Sequence, residues 1–297
     1  MSANPLVLER RASILRCIRA QLDAQGFVEV ETPVRIPCPA NEPHISAPPS
    51  GDHFLRTSPE LHMKRLLCAG CERIYQMGPC FREGERGERH RPEFTMLEWY
   101  RANGGYLDVL ADFEALVRAC ARLLHGEARW TFGGVAVDAE SPWLRLTVQE
   151  AYRRLAGWDP LEKFDAERFD LDMALKVEPA LPKDRPCVLI DYPAQAASLS
   201  RLSAADPRVA ERWEAYIGGI ELCNAFGELT DAKVQRERFI AAAAQRRLDG
   251  DRPYPLDEPF LEALERGMPP SGGAALGVDR LCMVLLDLPS IDLVRAF

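Results

Sequence analysis

The stretch Pro92-Glu93-Phe94-Thr95-Met96-Leu97-Glu98-Trp99-Tyr100 decides how the rest of the chain is read. Successive side chains of a strand point to opposite faces, so Phe94, Met96, Glu98 and Tyr100 share one. That face carries a flat ring, a thioether, a carboxylate and a phenol in a row. A plain core strand would not hold such a row, because an unpaired carboxylate is costly to bury. As a pocket floor it is sensible: Phe94 can stack on a flat base, while Glu98 and Tyr100 receive an ammonium. The alternative is an ordinary strand with Glu98 at a solvated sheet edge.

Upstream, Ile74-Tyr75-Gln76-Met77 reads as a partner strand, followed by Phe81-Arg82 and a charged loop from Glu83 to Arg91. Arginine is suited to clamping a phosphate through two parallel hydrogen bonds, although many such loop arginines are merely solvated. Downstream, Glu214, Glu221 and Glu228 are spaced seven apart. Carboxylates beside a polyphosphate are natural Mg²⁺ ligands. In a strict strand odd spacings alternate faces, so convergence requires the Gly218-Gly219 hairpin and a bend near Asn224. Spacing alone favours a solvated acidic face. Near the C-terminus, Gly272-Gly273-Ala274-Ala275-Leu276-Gly277-Val278-Asp279-Arg280 is a run of small residues leading into a helix. Small residues let a backbone approach a ligand, and Arg280 in a first helical turn can reach a phosphate. Close packing of strand against helix explains the run equally well. The Gly-Lys-Ser/Thr ending of a Walker loop is absent.

Around these elements, Asn4-Pro5 predicts the start of a helix that runs towards Gly26. Phe27 to Glu31 alternates like a strand, Pro37 to Gly51 reads as a loop, and residues 105–185 look helical. Thr230-Asp231 opens another helix. Strands joined mostly by hairpins, with helices interspersed, predict an α+β fold with an antiparallel sheet flanked by helices. With no repeat and no composition break, residues 1–297 read as one domain.

The 297 residues carry a net charge of −8, which disfavours a long RNA partner and suits a basic protein partner. No transmembrane span or signal peptide is legible, so a cytoplasmic location without a membrane partner is expected. Nine cysteines then read as reduced thiols. The group Cys38, Cys68, Cys71 and Cys80 reads as buried thiols, with zinc the alternative.

Taken together and in order, these elements resemble the three motifs of class II aminoacyl-tRNA synthetases. The first helix with Phe27 to Pro33 is similar to motif 1, Phe81-Arg82 through Tyr100 to motif 2, and Gly277-Val278-Asp279-Arg280 to motif 3. The lysine-specific branch is matched by Thr57-Ser58-Pro59-Glu60-Leu61, by Pro92 through Glu98, and by Glu221-Leu222-x-Asn224-x-Phe226-x-Glu228-Leu229. Within that branch the chain resembles the elongation factor P lysine ligase family. Motif 1 begins near residue 7, which leaves no room for an anticodon-binding domain. Glu98-Trp99-Tyr100-Arg101 and Ala275 match the ligase wording, where tRNA enzymes usually have Phe and Gly in place of Trp99 and Ala275.

The resemblance implies ATP-dependent activation of (R)-β-lysine, more weakly α-lysine, to an adenylate. Transfer then goes to a lysine side chain of elongation factor P, with no tRNA expected. It also implies a homodimer built on motif 1. Arg82 and Arg280 would act at the phosphates, with Phe94 stacking on adenine and Gly277 lining the nucleotide site. Glu83, Gly84, Glu85, His90, Arg91, Leu222 and Asn224 would complete the ATP contacts, and Glu214 and Glu221 would hold Mg²⁺. Glu60 and Glu98, beside Ser58 and Pro59, would receive the backbone-side amine, and Tyr100 and Glu228 the ε-ammonium. Ala275 would add a methyl group to the pocket floor. Three places depart from the family pattern: Gly84 stands for Glu, Arg91 for Asn, and Ala225 with Gly227 for Gly and His. The alternatives are a reduced tRNA-charging enzyme and an inactive paralogue that serves as a binding subunit.

Overall fold

The computed structural model describes residues 4–42 and 45–296. Met1 to Ala3, and Pro43 and His44 of the expected loop, lie outside the described residues. The elements that position the site are, in chain order, α1 (Pro5–Ala24), β1 (Val28–Glu29), α2 (Glu60–Cys68), β2 (Arg73–Phe81), β3 (Glu93–Ala102), α3 (Tyr106–His125), β4 (Leu144–Thr147), β5 (Cys187–Pro193), β6 (Val209–Ile217), β7 (Ile220–Gly227), α4 (Ala232–Leu248), α5 (Glu258–Arg266), β8 (Ser271–Gly277) and α6 (Val278–Leu285). The eight strands form one sheet in the order β1-β2-β3-β8-β7-β6-β5-β4.

Each start is set locally. Asn4 accepts the amide of Leu6 to cap α1, with Pro5 at the first helical position. Asp231 accepts the Lys233 and Val234 amides to cap α4. Gly218 and Gly219, at φ +62° and +77°, make the tight turn between β6 and β7. An added Cβ at Gly218 would also overlap the Phe132 ring.

The six strands from β2 to β5 along the sheet are antiparallel, as the hairpin spacing predicts. The two edges differ: β1 runs parallel to β2, and β4 parallel to β5, so the sheet is mixed. The middle of the chain also departs from the helical expectation. Besides α3 it holds β4 and a hairpin of Arg129–Phe132 with Val135–Asp138. Part of the expected loop after Pro37 pairs in a small three-stranded sheet (Arg35–Ile36, Pro49–Ser50, His53–Leu55).

The main core lies on one face of the sheet, under α1, α3 and α6. Leu97 and Trp99 of β3, Trp213 of β6, Leu222, Cys223 and Ala225 of β7, and Ala274 and Leu276 of β8 all point into it. Phe113 of α3 stacks between Trp99 and Trp213, with ring centroids 6.5 and 5.9 Å away. Trp99 therefore packs the core, not the pocket. Gly272 faces the same side, where a Cβ would overlap the Gly105 carbonyl at the start of α3. The opposite face carries α2 and α5 at one end and a cluster of residues 148–181 against Cys187, Leu189 and Tyr216 at the other, and the site lies between them. No helix among the described residues is long and apolar enough to cross a membrane.

Candidate active site

The register of the sheet assembles the site. Glu98 lies across from Ala275, and Ala275 in turn across from Asn224. Tyr100 is paired with Gly273, and Met96 with Gly277. Gly273, Ala275 and Gly277 thus share the face of Phe94, Met96, Glu98 and Tyr100, while the alternate residues fill the core. Glu221 would face the core if β7 were regular. Instead the pairing slips between Ala215 and Tyr216, which lie across from Cys223 and Glu221 and leave Leu222 as an extra residue. This bulge turns Leu222 and Cys223 both into the core and brings Glu221 onto the face of Asn224 and Phe226. Any contact of Leu222 with a ligand therefore runs through its main chain.

Ser58, Glu60, Arg82, Glu98, Tyr100, Asn224, Glu228 and Ala275, all singled out from the sequence, line one cavity. Glu42, Met96, Phe226, Gly273 and Ala274 complete its wall. Glu98 is buried, accepting a hydrogen bond from Ser58 Oγ at 2.5 Å and one from Tyr100 OH at 2.9 Å. Burial, and then the neighbouring Glu60 charge, push its carboxyl up to about 8 against those two hydrogen bonds. Ser58 Oγ also accepts the Glu60 amide at 2.9 Å, which ties the start of α2 to the floor. Pro59 precedes α2 at its N-cap and is outside the cavity wall.

Lys64 was not legible as a site residue. Its ammonium is fully buried and paired with both Glu60 and Glu228, the latter at 2.5 Å. Burial works against that charge, and the Glu228 and Glu60 carboxylates outweigh it, holding Lys64 above its ordinary range. Burial raises the Glu228 carboxyl, with Lys64 opposing. A Cβ on Gly273 would overlap Glu228 Oε1 and the Tyr100 ring, so both side chains close over that glycine.

Beside this cavity lies a second, basic group. The Arg82 guanidinium stands 5.3 Å from the Phe94 ring centroid and 3.6 Å from Glu85. Arg280 donates to the Glu221 main-chain oxygen at 2.9 Å, to its carboxylate at 3.2 Å, and to the Arg89 carbonyl at 3.2 Å. It also reaches His90 Nε2. Burial, then the Arg280 charge, lower the His90 pKa, which favours the neutral ring. Gly277 caps α6 immediately before it. Gly84 has φ +77°, a conformation that strains any other residue, which accounts for a glycine in this loop. The Glu83 amide donates to the Ser46 carbonyl, and Arg91 is ion-paired with Asp292.

Glu214 accepts from Arg212 at 2.6 Å and from Tyr216 OH at 2.7 Å. Partial burial, and then the Glu214 charge, raise the Glu221 carboxyl against Arg280. Two like-charged carboxylates on one face suit Mg²⁺, which typically takes one or two carboxylates and fills its octahedron with water and phosphate oxygens. Cys68 and Cys71 are half-buried free thiols, while Cys80 is buried with its sulfur 3.9 Å from that of Met96.

Asp279 was quoted only as part of a motif. Buried, it accepts the Thr95 amide and Arg11 Nη2, each at 2.8 Å, and so ties α1, β3 and α6 together behind the site.

A sheet of this topology, with a carboxylate-lined cavity on one face and Arg82 and Arg280 at its side, fits a class II synthetase catalytic unit. The chain belongs to the family described as tRNA synthetases class II (D, K and N), which matches residues 3–297. It is 40% identical over 312 residues to a lysine–tRNA ligase of Moorella thermoacetica, covering 97% of this chain and 64% of that protein. It is 36% identical to lysine–tRNA ligases of Clostridium perfringens and Thermoanaerobacter sp., over 99% of this chain and 65% and 64% of theirs. The chain thus spans just under two thirds of the length of these relatives.

Proposed function

We propose that the chain activates (R)-β-lysine, and more weakly α-lysine, with ATP and passes it to a lysine side chain of elongation factor P. The observation that carries the activation step is the cavity. Buried carboxylates at Glu60, Glu98 and Glu228 face a small floor, and arginines stand on one side of it. An amino acid with two ammonium groups matches the carboxylates, and a triphosphate matches Arg82 and Arg280. The choice of β-lysine is supported by Ala275, whose methyl group adds bulk across from Glu98.

In the first step a carboxylate oxygen of the amino acid attacks the α-phosphorus of ATP, and the bond to the bridging oxygen breaks, releasing pyrophosphate. Arg82 and Arg280 hold the phosphates in line. Phe94, with Arg82 over its ring, offers a stacking surface for the adenine. Mg²⁺ held by Glu214 and Glu221 would neutralise phosphate charge. Positioning and charge neutralisation are the protein's whole contribution to this step. In the second step a neutral acceptor amine attacks the adenylate carbonyl and AMP leaves.

Amino-acid-dependent pyrophosphate exchange tests the first step. Exchange should be stronger with (R)-β-lysine than with α-lysine, and the gap should narrow in Ala275→Gly. One methyl in a pocket is worth about 1–3 kcal/mol, so the discrimination is expected to be incomplete. Equal preference before and after the substitution would remove the argument from Ala275. The second reading, transfer to tRNA, is favoured by the names of the relatives.

A further inference from the structure

Lys64 is not itself part of the cavity wall, and it stands behind two residues that are, Glu60 and Glu228; no step of the activation chemistry given above uses it. It is nevertheless among the largest fully buried side chains of the protein. An ion pair between residues four apart on an exposed helix contributes little. This one differs in two ways. The ammonium has no access to water, and its second partner, Glu228, comes from another element at the end of β7.

The contacts form a chain around the cavity, from Tyr100 to Glu228. Tyr100 OH donates to Glu98, Ser58 donates to Glu98 and accepts the Glu60 amide, and Glu60 pairs with Lys64. Lys64 pairs with Glu228, and Glu228 and the Tyr100 ring both lie over Gly273. Glu60 belongs to the end of the pocket assigned to the backbone-side amine, and Glu228 to the end assigned to the ε-ammonium. Lys64 is the direct link between the two ends.

We propose that Lys64 is a positioning residue that fixes the separation of the two ammonium-receiving carboxylates and thereby sets the length of diamino acid the site accepts. The proposal rests on the activation step given above. A shorter acid such as ornithine reaches one end but not the other. Without the buried cation, Glu60 and Glu228 repel each other or one of them takes up a proton, and in either case nothing holds the distance between them.

The test is pyrophosphate exchange by the full chain with a lysine, α or (R)-β, and the corresponding ornithine, measuring the KM of amino acid and ATP separately. Wild type should favour lysine by roughly 10–200-fold, the range for one methylene. Lys64→Met leaves two carboxylates facing each other. Lys64→Arg keeps the charge, adds bulk to a closed site and cannot keep the spacing. Both should compress the lysine-to-ornithine ratio below about tenfold through the amino-acid KM, with the ATP KM unchanged. Should Lys64→Met fail to fold, Lys64→Arg decides alone. A folded variant that keeps the wild-type ratio overturns the positioning role. Wild type that exchanges with neither diamino acid overturns the functional reading itself, and the inference falls with it.

Discussion

Burial and the Glu60 charge move the Glu98 carboxyl from its ordinary 4.5 up to about 8. Between those values the folded chain holds a proton that the unfolded chain has lost. Rising pH through that window therefore costs stability. Recognition runs the other way, because an ammonium is best received by an ionised carboxylate. The KM for the amino acid should fall as pH rises from about 6 towards about 8, as Glu98 ionises, and should rise again once the backbone-side ammonium loses its proton. Glu98→Gln should flatten that profile and raise the KM about tenfold or more, since a hydrogen bond to a charged group contributes about 1.5–3 kcal/mol. A pH dependence preserved in Glu98→Gln would assign it to another group. Glu98 was legible because face alternation in a strand is local, and a carboxylate between Met96 and Tyr100 breaks the apolar pattern. Lys64 was not, because a lysine on a helix ordinarily reads as solvated and its burial depends on Glu228, far along the chain.

At the scale of elements, the two glycines that open β8 serve opposite faces. Gly272 admits the start of α3, and Gly273 admits Glu228 and Tyr100. Gly273→Ala should therefore abolish amino-acid-dependent exchange while nucleotide binding, followed by a fluorescent ATP analogue, persists. The overpacking should cost about 1–3 kcal/mol in urea unfolding. Undiminished exchange would mean that Glu228 and Tyr100 do not close over this strand. The sequence offered ligand approach and helix packing as rival explanations of the small-residue run; helix packing holds at Gly272, while at Gly273 the space is taken by the Glu228 and Tyr100 side chains. The alignment of Glu221 with Asn224 was not legible, because the bulge at Leu222 has no compositional mark and is set by pairing with β6. Strands of four residues, such as β4 and the Arg129–Phe132 hairpin, contain too few positions to display a period beside the long amphipathic α3. From sequence alone the middle of the chain therefore reads as helical.

For the whole molecule, the helices α1 and α6 are tied to the sheet through Asp279, which holds α1 by Arg11 and β3 by the Thr95 amide. Asp279→Ala strands both partners. It should destabilise the protein by about 3 kcal/mol, the low end for a broken buried pair because Arg11 is partly solvated. Thermal unfolding would register that loss as a drop of several degrees, and a change within about 0.5 kcal/mol would demote Asp279 to a surface contact. The two hairpins, the antiparallel centre of the sheet and the shared face of Phe94, Met96, Glu98 and Tyr100 were legible from spacing and alternation, whereas the order of the strands was not. The parallel edges were not, since β1 consists of two residues and β4 pairs with a strand far along the chain. The net charge of −8 belongs to this scale too, and it favours a protein acceptor over a polyphosphate one. That choice is the central claim, and offering the activated amino acid to elongation factor P and to tRNA in parallel tests it most directly. The account predicts label on the protein and none on tRNA; label on tRNA, with the protein unlabelled, would contradict it.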